Sequence, residues 1–135
     1  MKYTPELYAL TLISTATALM WVPYVLARMT THGVLRAIGT PGPGYPADAP
    51  WADRARRAHI NAIENLAVFA PLVLVGAIVE VSTKATVLSA EIYVVARLVH
   101  YVIYVAGIPI LRTLAFLAGA SATLAIAIAL LQGAM

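Results

Sequence analysis

Four long stretches of apolar residues divide the chain, and a polar segment rich in proline and glycine separates the first stretch from the second. A helix needs about 20 residues to cross a bilayer core about 30 Å thick, and each stretch is long enough. The pattern therefore predicts a single integral membrane domain over residues 1–135, with helices at about 6–28, 54–81, 86–106 and 111–131. Residues 30–53 are predicted to form the one long loop.

Local signals indicate where these helices begin, bend and end. Thr4 is predicted to cap the first helix, and Pro23 favours a kink near its far end. Asp53 is predicted to cap the second helix. The short links at residues 82–84 and 107–109 make consecutive helices antiparallel neighbours. The predicted fold is an all-α membrane protein, a bundle of four transmembrane helices.

Composition supports a membrane location and excludes several kinds of chemistry. Of the 135 residues, 61% are hydrophobic and 11% are charged, and the mean hydropathy is +0.85. Soluble domains are typically about 45–50% apolar and about 25% charged. The absence of cysteine excludes disulfides, a protein thiolate and thiolate metal ligands. Three scattered histidines without an H-E-x-x-H motif predict no metal site.

Basic residues concentrate on one side of the predicted bundle. The net charge is +3, and its distribution follows membrane topology, so we predict no nucleic-acid partner. The long loop, its edges and the last connection contain most arginines, namely Arg28, Arg36, Arg54, Arg56, Arg57 and Arg112. The opposite side has only Lys2 and Lys84. The positive-inside rule therefore puts the loop in the cytoplasm and both termini outside it, and the lean loops favour a bacterial inner membrane.

Polar and ionisable side chains interrupt two predicted helices at helical spacing. Those on the second helix, at i, i+4 and i+7, are Arg57, Asn61 and Glu64. Those on the third helix, at i, i+3 and i+7, are Arg97, His100 and Tyr104. Ionised groups cost roughly 2.5–3.5 kcal/mol each in hydrocarbon, so both stripes should face a protein interior or a wet cavity.

Both stripes reach the cytoplasmic end of the bundle, because the two helices are antiparallel. Arg28 ends the first helix at that level, and Arg112 begins the fourth. The planar guanidinium of arginine binds carboxylates through two parallel hydrogen bonds. The sequence therefore predicts a pocket for a small polyanion that also offers an amine or amide group to Glu64 and Asn61.

Each of these residues also has a purely structural interpretation. Arg54 and Arg56 could extend to lipid head groups as topology anchors. Glu64 could form an ion pair with Arg57, and His100 could be an interhelical hydrogen-bonding residue. Taken singly, these interpretations are at least as good as a ligand site. The occurrence of all these residues at one membrane level favours a ligand site.

Three segments occur in a fixed order that resembles a known family. Residues 57–64 read R-x-H-x-N-x-x-E, residues 97–104 read R-x-x-H-x-x-x-Y, and Arg112 is followed by Thr113. These segments resemble the motifs of the MAPEG family, the membrane-associated proteins in eicosanoid and glutathione metabolism. The resemblance covers essentially the whole chain.

The resemblance implies a homotrimer that binds glutathione between adjacent protomers near the cytoplasmic face. Positions that match the glutathione-site motifs are Arg57, Asn61, Glu64, Arg97, His100, Tyr104 and Arg112, with Arg28 as a looser match. Arg112 matches the arginine thought to hold the thiolate, and a fixed cation does lower a thiol pKa from about 8.5. The sequence departs from the family pattern at two points. Ile60 stands where eicosanoid-processing members have arginine. One residue fewer separates Tyr104 from Arg112 than in prostaglandin-forming members.

We therefore hypothesise a glutathione-dependent membrane enzyme, similar to a transferase or peroxidase, that uses no metal. Its second substrate would be a lipophilic electrophile or hydroperoxide that enters from the membrane lipid. One alternative is a non-catalytic scaffold or lipid-binding module of the same fold. Another is a small transporter with Glu64 and Arg97 along its pathway, although clustering of the charges at one face argues against it.

Overall fold

The structure, a computed structural model, describes residues 2–133 and contains only α-helices within that range. The helices are α1 (Pro5–Leu19), α2 (Val22–His32), α3 (Val34–Ile38), α4 (Pro50–Ile78), α5 (Lys84–Ala106) and α6 (Pro109–Gly133). Four helical segments are long and apolar enough to cross a membrane: α1 with α2 counted together, α4, α5 and α6. The predicted all-α fold is confirmed.

The helix ends follow local capping chemistry. Thr4 caps α1 as predicted, because its hydroxyl accepts a hydrogen bond from the Leu7 backbone N–H at 3.3 Å. Helix α4 begins four residues before the predicted start, since Pro50 occupies a first-turn position that needs no backbone donor. Asp53 consequently lies in the first turn of α4 and not at the predicted capping position. Thr83 caps α5 through a capping box.

The first membrane-spanning segment is interrupted between α1 and α2. Pro23 lies in the first turn of α2, where its missing N–H cannot continue the hydrogen-bond ladder of α1. The Tyr101 hydroxyl of α5 donates a hydrogen bond to the Met20 carbonyl at 2.9 Å. The bend favoured by Pro23 is thus a short break, and α5 holds it in place.

The loop after α2 is shorter than predicted. Helix α2 continues to His32 and ends at Gly33, whose φ of +83° suits glycine. The short helix α3 follows, and residues 39–49 contain no further helix. The predicted loop at residues 30–53 therefore shrinks at both ends, because helical backbone at α2 and α4 extends into it.

Helix α5 is the centre of the bundle and packs against α1, α4 and α6. In the core, the rings of Phe69 from α4 and Tyr93 from α5 stack with centroids 3.7 Å apart. Ile13 of α1 and Ile126 of α6 belong to the same buried cluster. Small residues on α6, including Gly119, allow its backbone to approach α5 closely.

Candidate functional site

The guanidinium of Arg97 lies at the centre of the predicted polar residues. Arg97 is 1% exposed, and its Nη1 donates to the Asn61 Oδ1 at 3.1 Å. Its Nη2 donates to the Phe116 carbonyl at 3.3 Å, and its Nε has no hydrogen-bond partner within residues 2–133. No carboxylate of the described chain forms an ion pair with it. A buried cation in this state is costly, and an anionic ligand would compensate its charge.

The amide of Asn61 is oriented by its own helix. The Nδ2 of Asn65, one turn further along α4, donates to the backbone carbonyl of Asn61 at 2.8 Å and to the side-chain Oδ1 of Asn61 at 3.3 Å. The Asn61 Oδ1 therefore accepts from both Asn65 and Arg97. Asn65 was not among the predicted site residues, although its i+4 spacing from Asn61 is visible in the sequence.

Aromatic rings surround the guanidinium of Arg97 on two sides. Its Cζ lies 5.7 Å from the ring centroid of Tyr93 and 5.2 Å from that of Phe116. The negative ring faces attract a cation but leave its net charge uncompensated. The side chain of Phe116 has no polar atom, so the polar stripes of the sequence do not include it.

A chain of contacts connects this centre to Arg112 at the start of α6. The ring of His100 lies 6.4 Å from that of Phe116 and 5.6 Å from that of Tyr104, measured between centroids. The Cζ of Arg112 lies 4.6 Å from the Tyr104 ring centroid. Asn61, Arg97, His100, Tyr104 and Arg112, all predicted from the sequence, thus form one contiguous set in a single protomer.

Gly119 provides the space that the guanidinium of Arg97 occupies. A Cβ built on Gly119 would lie 2.9 Å from both the Nε and the Nη2 of Arg97, closer than real Cβ contacts. The sequence indicated only that small residues of the fourth helix favour close packing. The structure shows that one of them is opposite the central cation.

Arg57 and Glu64 lie outside this set of contacts. Both are exposed on the surface of α4, and Arg57 donates to the Asp53 carboxylate at 2.8 Å. The alternative in which Arg57 pairs with Glu64 is therefore not observed. Glu64 makes no hydrogen bond or ion pair to the described residues. An exposed carboxylate on a membrane-spanning helix is costly beside lipid, so this face should meet protein or water.

Arg28 also lies apart from the set, in an ion pair with the loop. Its Nε and Nη2 donate to the two Asp48 carboxylate oxygens at 3.0 and 2.6 Å. The hydrogen bonds from this guanidinium lower the pKa of the Asp48 carboxyl below its usual value. Unlike Arg97, Arg28 is thus compensated within its own chain.

Arg54, which one interpretation of the sequence treated as a topology anchor, bonds to a neighbouring helix through its Nε. Its Nε donates to the Val105 carbonyl at 2.8 Å, at the C-terminal end of α5. A cation is favourable there because it interacts with the negative end of the helix dipole. Gly107 leaves room for this side chain, since a Cβ there would lie 3.3 Å from the Arg54 Nε.

The fold and these contacts define a membrane protein with four spanning helices and a cationic cluster, centred on the buried Arg97, near one end of the bundle. The model of the MAPEG family matches residues 8–132, which include nearly all of the four spanning segments and every residue of the cluster. The chain therefore belongs to the MAPEG family, as its motifs predicted. No curated protein matched the chain in a sequence comparison.

Proposed function

We propose that this protein is a glutathione-dependent membrane enzyme that conjugates lipophilic electrophiles or reduces lipophilic hydroperoxides. Membership of a family named for glutathione and eicosanoid metabolism supports the proposal. The observation that carries it is the Arg97 guanidinium, which is buried and bonded to Asn61 but has no carboxylate partner among residues 2–133. Glutathione offers two carboxylates to such a cation.

Four residues of the set have specific roles in this proposal. Arg97 and Asn61 bind a glutathione carboxylate and backbone amide, in keeping with the charge-assisted hydrogen bonds that a buried guanidinium forms. Arg112 lies beside the sulfur and lowers the thiol pKa, so that the thiol proton passes to water. Tyr104 positions Arg112 through the ring contact at 4.6 Å.

The thiolate then reacts with a second substrate that arrives from the bilayer. Attack on an electrophilic carbon forms a carbon–sulfur bond and releases the leaving group with its electron pair. Attack on a hydroperoxide oxygen breaks the O–O bond and forms an alkoxide, which takes a proton to become the alcohol, and a sulfenic acid. A second glutathione converts the sulfenic acid to disulfide and water. Both reactions need the same stabilised thiolate and no metal.

The assembly that fits this proposal is a homotrimer with the site near the boundary between protomers. Exposed Arg57 and Glu64 on α4 support it, because a neighbouring protomer or bound ligand would remove them from lipid. In this arrangement Glu64 binds the glutathione amine. Because Arg28 is paired with Asp48, it would join the site only after exchanging that partner.

We further propose an orientation with the cluster near the cytoplasmic face of a bacterial inner membrane and both termini on the other side. The arginines of the loop and of the α6 start support this orientation, since short cytoplasmic loops are enriched in basic residues. Cytoplasmic glutathione would then reach the cluster directly. The hydrophobic co-substrate would come from the surrounding lipid.

Thiolate absorbance on mixing the purified protein with glutathione tests the mechanism. We expect thiolate to form with the wild type and to be lost in Arg112→Ala, while calorimetry still detects glutathione binding. Arg36→Ala is the matched control, because Arg36 is exposed on α3 outside the cluster and its removal should leave the signal unchanged.

Two results would contradict the proposal. Bound glutathione without thiolate in the wild type, or undiminished thiolate in Arg112→Ala, would remove the role of Arg112.

A scaffold without this activity would gain no thermal stability from glutathione. A true ligand at 100 times its Kd should add about 2.7 kcal/mol to the free energy of unfolding.

A further inference from the structure

A concave feature lies at the opposite end of the bundle from the arginine cluster. It is an apolar groove between the end of α4 and the end of α6, with a volume of about 510 Å³. Along α4 it begins about three turns beyond Asn61, roughly 16 Å at about 1.5 Å per residue. Its walls are formed chiefly by Leu72, Val75, Val79, Ala127, Leu130 and Leu131. This volume falls within the roughly 300–1,000 Å³ range of small-molecule sites.

A polar rim continues from the mouth of this groove. The adjoining pocket has a volume of about 370 Å³ and is lined by Lys2, Thr4, Glu80 and Ser82 among others. Val81 lines both the groove and the rim, so the two adjoin at that residue. Lys2 and Glu80 form no ion pair with each other or with another described residue. Within residues 2–133, the rim therefore presents a cation and an anion that have no ion-pair partner, beside an apolar groove.

The backbone holds Glu80 at this rim in an unusual conformation. Glu80 has a φ of +57°, and it is the one non-glycine residue with positive φ in the described chain. It follows the end of α4, where the Val81 N–H donates to the Gly76 carbonyl at 2.9 Å. Helices that end in this way usually have glycine at that position. Strained residues of this kind cluster at ligand sites, which gives the Glu80 carboxylate a candidate function.

We propose that this groove and its rim bind one phospholipid whose head group carries a primary ammonium, taken from the surrounding leaflet. An acyl chain occupies the apolar groove, where it replaces contacts with bulk lipid by contacts with α4 and α6. The phosphate pairs with the Lys2 ammonium. The lipid ammonium donates hydrogen bonds to the Glu80 carboxylate, and the two charges of the rim thereby match the two charges of the head group.

This lipid site is separate from the arginine cluster and does not depend on the glutathione proposal. None of the residues that line the groove or its rim contacts Arg97 or Arg112 through a hydrogen bond or ion pair. The experiment therefore measures lipid retention and needs no catalytic activity. Its failure would leave the glutathione proposal intact.

Native mass spectrometry of the detergent-purified protein, with phosphatidylethanolamine and phosphatidylcholine added in equal amounts, tests the head-group assignment. We expect at least about tenfold more phosphatidylethanolamine to be retained, because the quaternary ammonium of choline cannot donate a hydrogen bond to Glu80. In Glu80→Gly the ratio should fall to about one. That variant should keep its fold, since glycine adopts the left-handed conformation without strain.

A second pair of variants tests the groove itself. Ala127→Phe fills the groove and should abolish retention of both lipids. Ala118→Phe is the matched control, because Ala118 lines a different groove between α5 and α6, and it should retain lipid as the wild type does. If Ala127→Phe does not fold, Ala127→Cys labelled with a bulky maleimide makes the same test at the only thiol of the protein.

Three outcomes would overturn the proposal. The first is equal retention of the two lipids by the wild type, or an unchanged ratio in Glu80→Gly. The second is full lipid retention when position 127 carries the bulky group. The third is a disulfide between copies of Ala127→Cys, which would show that a second copy of the chain covers the groove.

Discussion

Gly119 shows how one residue without a side chain determines the position of another. The guanidinium of Arg97 fits between Asn61 and the backbone of α6 only because no Cβ stands at Gly119. The sequence predicted the helix, the level and the polar character of Arg97. It could not predict Gly119 as its neighbour, because that contact depends on how closely α5 and α6 approach.

Gly119→Ala should therefore destabilise the protein, although alanine is the better helix former by roughly 0.5–1 kcal/mol. The new Cβ would lie 2.9 Å from two atoms of the guanidinium, which must therefore shift. This buried group would then lose its hydrogen bonds to Asn61 and Phe116, at a cost of about 1–3 kcal/mol. Glutathione affinity should fall together with the stability, because the guanidinium of Arg97 must move. Gly133→Ala is the control, since its Cβ would meet Val81 at an ordinary 3.5 Å. Thermal unfolding and calorimetry measure both effects, and equal behaviour of the two variants would contradict this account.

Arg97→Met should have opposite effects on stability and binding. It removes a buried charge that has no carboxylate partner among the described residues, so we expect a gain of about 1–3 kcal/mol in unfolding free energy. Glutathione binding should be lost. Arg54→Met provides the comparison: it removes a hydrogen bond to the Val105 carbonyl and should destabilise the protein. Chemical unfolding in detergent checks the signs, and a loss of stability in Arg97→Met would contradict the account.

At the scale of helices and loops, the sequence predicted the elements better than the contacts between their ends. Each long apolar stretch is a property of one helix, and the capping by Thr4 needs only neighbouring residues. The pairing of Arg28 with Asp48 joins residues separated by a loop with several prolines and glycines. The path of such a loop depends on contacts distant in sequence, so this pair could not be predicted.

The Arg28–Asp48 pair predicts how stability depends on pH. Since Arg28 lowers the folded-state pKa of Asp48, the pair stabilises the protein above the unfolded-state pKa of about 3.9. This contribution is lost as the pH falls through the lower folded-state value. The difference in melting temperature between wild type and Asp48→Asn should thus be constant between about pH 5 and 8 and shrink below about pH 4.

Asp53→Asn is the control for this pH dependence, because Asp53 pairs with exposed arginines and such surface pairs contribute little. Its melting temperature should stay close to that of the wild type throughout. If the difference in melting temperature between wild type and Asp48→Asn grew on acidification, the assigned direction of the Asp48 pKa shift would be contradicted.

At the scale of the whole molecule, a single protomer accounts for only part of the polar pattern in the sequence. Short links between antiparallel helices were enough to predict that Asn61, Arg97 and Arg112 lie near the same end of the bundle. In the structure Arg97 bonds to Asn61. Arg112 is connected to Arg97 only through the rings of Tyr104, His100 and Phe116. Glu64 belongs to the same polar stripe as Asn61, but it is exposed on the surface of α4. Helical periodicity places residues on a face and does not say whether the same chain, another copy or a ligand covers that face.

Glu64→Leu distinguishes these environments by the sign of its effect. If lipid surrounds this face, leucine should stabilise the protein by roughly 2.5–3.5 kcal/mol, the cost of a charge in hydrocarbon. We expect the opposite, namely weaker glutathione binding and a smaller fraction of trimer in native mass spectrometry. Ile63→Leu, an exposed neighbour with conserved volume, should change neither quantity. The proposed assembly requires Glu64 to bind an amine or a neighbouring protomer, and a stabilised, fully trimeric Glu64→Leu protein that still binds glutathione is incompatible with it.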